Sequence, residues 1–178
     1  MYPIYVLDLE TTGLNGWDKN EVIVEIGVVK INQDLTIENV YHEYVDPRTY
    51  TKKQTGWEKS WIFINQYLDP EIVKSKGITF DQLRKDCTEL LGNKNVTSYN
   101  TKFDLTKYLC NEPYNIVVNQ QPCIMEMTKV LTDSPRYLKL VHAYTLLCNP
   151  KSPIKWHTAL ADAQAAAEIL IQLIHLLG

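Results

Sequence analysis

Apolar and polar positions along the chain change period several times, and each change marks an element. Residues 2–8 alternate and run apolar, as a strand does. "NEVIVEIGVVKIN" (Asn20–Asn32) is rich in Val and Ile, and "LTIENVYHEYVD" (Leu35–Asp46) alternates. The turn residues Asn32–Asp34 between them predict a hairpin. A polar stretch from Pro47 to Leu68 carries Trp57, Trp61, Phe63 and Tyr67. A short helix is predicted from Pro70, then one capped by Thr79 and ended by Gly92. Asn95–Asn100 reads as a strand, "TKFDLTKYLC" as a helix, and "YNIVV" (Tyr114–Val118) as a further strand. Helices close the chain over about 124–131, 138–147 and 158–177. Strands first, then alternation, then helices predict an α/β sandwich on a mixed sheet. No repeat or linker divides residues 1–178, so a single domain is expected.

Composition adds little beyond an ordinary globule: 45% hydrophobic and 22% charged over 178 residues. No apolar run approaches the length needed to span a bilayer, and the N-terminus has no basic leader region, so no membrane and a cytoplasmic location are expected. Cys87, Cys110, Cys123 and Cys148 form no CxxC pair and read as reduced thiols. The net charge of −3 argues only weakly against a nucleic-acid partner. Its distribution tempers this, since Arg48–Lys85 holds eight basic residues against four acids.

The candidate chemistry lies in the acids. Asp8 and Glu10 are two apart on a strand, so they share a face, at its C-terminal end where open α/β sheets place ligands. Two adjacent carboxylates repel, and a divalent cation with a taste for hard oxygen ligands resolves the conflict; Glu10 turning to solvent is the alternative. Asp104, in "SYNTKFDLTKYL", falls in a first helical turn behind Asn100 or Thr101, where the helix dipole alone would favour it. Asp162 follows His157 by five residues. On one helix that offset turns the side chains about 140° apart, so they converge only if His157 precedes the helix. His42, His142 and His175 read as structural.

"DLETTGL", "YNTKFD" and "HTALAD", in this order, closely resemble the three motifs of the DEDDh family of proofreading-type, DnaQ-like 3′→5′ exonucleases. "EVIVEIGVVKI", "YVDP" and "GITFDQL" extend the resemblance over nearly the whole chain. It implies a ribonuclease-H-like fold, with a mixed five-stranded sheet flanked by helices. It also implies a phosphodiester hydrolase that uses two Mg²⁺ or Mn²⁺ ions to release 5′-mononucleotides from single-stranded DNA or RNA 3′ ends. In that family's roles Asp8 would bridge both metals, with Glu10 and Asp162 on the one that holds the attacking water. Asp104 would serve the second, and His157 would be the general base. Setting those four acids aside leaves the rest of the chain at +1.

By the same resemblance the Thr11 backbone would meet the terminal 3′-hydroxyl and Leu14 would wedge against the last base. Asn100, Phe103 and Ile78 would flank the terminal nucleotide; each reads equally as structural support. The chain departs from the family in carrying Lys76 before the "GI" pair, and in an apparent insertion at about 50–67. The insertion's aromatic residues suit either a packed flap, strand binding, or contact with a polymerase or a second copy. The rival to an enzyme is a catalytically silent nucleic-acid- or polymerase-binding module of the same fold.

Overall fold

A computed structural model of the protein describes residues 2–148 and 156–177. Its sheet contains β1 (Ile4–Thr11), β2 (Ile23–Ile31), β3 (Ile37–Tyr44), β4 (Asn95–Ser98) and β5 (Asn119–Gln120), in the order β3-β2-β1-β4-β5. β1–β2 and β2–β3 are antiparallel, whereas β1–β4 and β4–β5 are parallel. The expected mixed sheet is therefore present, with β1 at its centre.

Alternation along β1 divides the core. Leu7 and Leu9 face one apolar cluster, which includes Leu83, Leu91, Leu105 and Tyr108. Ile4 and Val6 face the other, with Ala163, Ala166, Ile169 and Leu173 of α6 (Ala159–Leu177). The next two positions on the α6 face are Asp8 and Glu10. Apolar packing thus fixes the strand that presents both acids, and a register shift just after Glu10 ends its regular pairing.

α6 approaches the sheet closely because small residues meet there. A Cβ on Gly27 would lie within 2.4 Å of the Ala159 and Leu160 backbone. Gly27 pairs with Asp8 across β1–β2, so this contact seats the start of α6 beside the acids. At 19 residues α6 is long and apolar enough to cross a membrane by length and composition, contrary to the expectation from sequence. Its face of Ala163, Ala166, Ala167, Leu170 and Leu173 is buried, and Asp162 lies in its first turn; it is a core helix.

The helices α2 (Pro70–Lys76) and α3 (Phe80–Leu91) start as predicted. The Asp69 carboxylate accepts from the Glu71 N–H, and the Thr79 hydroxyl from the Gln82 N–H. α4 (Ile124–Leu131) and α5 (Leu140–Cys148) follow β5. Two elements differ from expectation. "TKFDLTKYLC" forms a π-helix over Lys102–Leu109, burying Asp104, Leu105, Tyr108 and Leu109. Tyr114–Val118 is not a strand: Tyr114 and Ile116 are buried in the core, but the Ile116 N–H donates to the Leu109 carbonyl. Pairing with β4 begins only at Asn119.

The segment 50–67 folds onto the domain. After one short 3₁₀ turn at Trp57–Lys59 it forms α1 (Trp61–Ile64), whose Ile62 and Phe63 join Trp57, Leu68, Val73 and Val24 in a third cluster.

Candidate active site

The acids converge from three segments distant in sequence. Asp8 and Glu10 come from central β1, Asp104 from the first turn of the π-helix, and Asp162 from the first turn of α6. Each of the other three sites, and Glu25 besides, raises the Asp8 carboxyl above its ordinary range, after burial as the main cause. Burial, with the charges of Asp162, Glu25 and Asp104 adding, pushes Glu10 up to about 8. Burial likewise takes Asp104 to about 7 and Asp162 to about 6.

His157 lies just ahead of α6, as the five-residue spacing requires, in the left-handed region at φ 63°. Ring and carboxylate atoms of Glu10, His157 and Asp162 all approach within 4.8 Å of one another. The His157 backbone N–H donates to Asp162 Oδ2 at 3.4 Å, and burial lowers the imidazole pKa. Its ring packs on Tyr67, with centroids 4.1 Å apart, and meets Trp61 edge-on at 5.7 Å.

A fifth carboxylate, Glu25, escaped the reading from sequence. It lies opposite Glu10 across β1–β2 and is 1% exposed. Its Oε1 is 2.7 Å from His42 Nε2, and that bond raises the His42 pKa. The only signal was a Glu inside a Val/Ile strand, whose importance depends on the pairing register. Among the described residues, Glu25 Oε2 and Asp162 Oδ1 are buried without a hydrogen-bond partner. Hard oxygen donors, two of them orphaned, and mutually repelling carboxyl groups fit a divalent cation.

Beside the acids lies a cavity of about 450 Å³, lined by Glu10, Thr11, Leu14, Trp61, Ile62 and Phe103 among others. Its loop is held from the π-helix: the Tyr108 hydroxyl donates to the Gly13 carbonyl at 2.7 Å, and Lys107 Nζ to the Leu14 carbonyl at 2.7 Å. Glu21 accepts the Asn15 and Gly16 N–H groups from the other side. The Leu14 side chain is left 71% exposed at this cavity. The structure thus brings Thr11, Leu14 and Phe103 together. Asn100 and Ile78 do not line the cavity. The Asn100 carbonyl accepts the Phe103 and Asp104 N–H groups and so starts the π-helix, while Ile78 packs on the core and bridges to Val45.

An exonuclease family model (RNase_T) matches residues 5–55. DNA polymerase III subunit epsilon of Buchnera aphidicola subsp. Baizongia pistaciae (strain Bp) is 29% identical over 175 residues, 92% of this chain and 67% of that protein. Among solved structures, a full-length 3′-exonuclease superposes with a TM-score of 0.70 at 22% identity, over 97% of this chain but only 60% of its own. A 3′-exonuclease studied for 3′-end-specific recognition of a histone mRNA stem-loop gives 0.71 at 20% identity, over 97% and 81%. The shared architecture is the ribonuclease-H-like sheet. In sequence the chain is similar to the exonuclease family over residues 5–55 and to a DNA polymerase III epsilon subunit, and in fold it is similar to solved 3′-exonucleases.

Proposed function

We propose that the protein is an active, metal-dependent 3′→5′ exonuclease that removes 5′-mononucleotides from single-stranded ends. One observation carries this reading: carboxylates from β1, the π-helix and α6 gather with the His157 ring, with the donor atoms of Glu10, His157 and Asp162 within 4.8 Å of one another. Asp8, Glu10 and Asp162 would hold one Mg²⁺ or Mn²⁺ ion, and Asp8 with Asp104 a second. When bound, such ions polarise the phosphoryl group and offset charge on the attacking and leaving oxygens. His157 takes the proton from the attacking water, a role its lowered pKa favours by keeping the imidazole neutral near pH 7. Leu14 and Phe103 orient the terminal nucleotide. A cavity of about 450 Å³ admits a terminal residue that has left its stack and its partner strand.

The similar proteins span both polymers, a DNA polymerase subunit and an enzyme studied with histone mRNA, so DNA and RNA ends are both substrates to test. The polymerase subunit also supports a polymerase as a partner. The decisive assay incubates 3′-labelled and 5′-labelled single strands of DNA and RNA with Mg²⁺ or Mn²⁺, with and without EDTA. The expected result is metal-dependent release of mononucleotides from the 3′ end. Binding without release under every metal condition overturns the catalytic reading and identifies a silent module.

A further inference from the structure

We propose that Trp61, supplied by the segment 50–67, is a stacking wall for the unpaired 3′-terminal nucleobase. The inference rests on the exonuclease reading for the identity of the strand, but its geometry is independent of cleavage. The two tryptophans of the segment have opposite surroundings. Trp57 is 6% exposed and belongs to the third apolar cluster, whereas Trp61 is 58% exposed. Trp61 begins α1, and the next two residues, Ile62 and Phe63, are buried in that cluster. The backbone under Trp61 is therefore pinned while its ring stands in the cavity that also holds Glu10, Leu14 and Phe103.

The ring is also held in orientation. It packs against Tyr67 with centroids 5.0 Å apart and planes inclined by 32°, and it meets the His157 ring edge-on. An exposed indole fixed on one side by aromatic neighbours presents a pre-ordered π-surface on the other. The occupant that suits it is flat, aromatic and joined to phosphate. Glu10, in the same cavity wall, belongs to the acidic cluster proposed to hold the reacting phosphate through cations. The base attached to that terminal nucleotide reaches the cavity. The charge of the segment agrees: Lys52, Lys53 and Lys59 are exposed on it, which favours a polyanion over an apolar protein partner.

The test is a fluorescence titration in EDTA with a short oligothymidylate and its counterpart bearing an abasic 3′ terminus. Trp17, Trp57 and Trp156 complicate the signal, so the Trp61→Phe variant serves as the reference spectrum. Wild type is expected to show quenching that Trp61→Phe lacks, and to prefer the intact end. Trp61→Ala is expected to bind on the order of tenfold more weakly and to lose the preference over the abasic end, with Trp61→Phe recovering most of the affinity. Wild-type affinity and wild-type end preference in Trp61→Ala would overturn the stacking role even if metal-dependent cleavage is observed. Trp61-dependent binding without cleavage in any metal would uphold stacking and reject the exonuclease reading instead.

Discussion

At the scale of single residues, His157 is the group whose place was most closely anticipated. The five-residue offset from Asp162 required a loop position, and the side chain lies there, close to Glu10 and Asp162. Its imidazole must be neutral to accept a proton, so the rate is expected to rise with pH through a pKa below the ordinary imidazole value. His157→Ala should lower kcat about a hundredfold or more and abolish that rising limb, as single-turnover rates against pH would reveal. Glu10 makes a different prediction, because its carboxyl sits among like charges. Glu10→Gln is expected to remove cleavage yet raise the melting temperature in EDTA at pH 8 by about 3 °C, measured by calorimetry. A lower melting temperature would mean that repulsion is not what Glu10 contributes. Glu25 shows where sequence reading ended. A single acid in an apolar strand does not disclose which residue faces it across β1–β2, and its partner His42 read only as structural.

At the scale of elements, strands and capped helices were legible because period and capping chemistry are local. Thr79, Asp69 and the hairpin turn do what their side chains prefer wherever they occur. Tyr114–Val118 failed for the opposite reason: alternating burial marks a packed loop as well as a strand, and the backbone partner of Ile116 lies in the preceding helix. The π-helix was equally hidden, since its apolar spacing differs little from that of an α-helix over eight residues. The close contact of β2 with α6 leads to a prediction of its own. Gly27→Ala would drive a methyl into the Ala159–Leu160 backbone and displace Asp162 from Asp8. The expected cost is ~1–3 kcal/mol by denaturant unfolding, with cleavage lowered well beyond what lost stability explains. A Gly27→Ala variant with wild-type kcat would show that the start of α6 need not seat so closely.

At the scale of the molecule, the clustered acids couple folding to pH and to cations. In the absence of metal the folded protein keeps protons on Glu10 up to about pH 8, on Asp104 to about 7 and on Asp162 to about 6. The unfolded chain has released them by about pH 5, so raising pH from there favours unfolding. Stability in EDTA should therefore fall between about pH 5 and pH 8, and less steeply in Glu10→Gln. Mg²⁺ or Mn²⁺ at about a hundred times Kd should restore roughly 5–10 °C at pH 8. A melting temperature insensitive to both would exclude a cation site built from these groups.

The segment 50–67 separates what fastens it from what it displays. Trp57, Ile62 and Phe63 grip Val24 and Val73, while Trp61 and Tyr67 look the other way, toward His157. Substitutions on the displayed side leave the grip untouched, so under the proposed stacking role an end preference can change while the clustered acids and the central strand stay as they are. The segment is a replaceable faceplate on the domain, and transplanting it together with its footing on β2 and α2 would test whether an end preference travels with it.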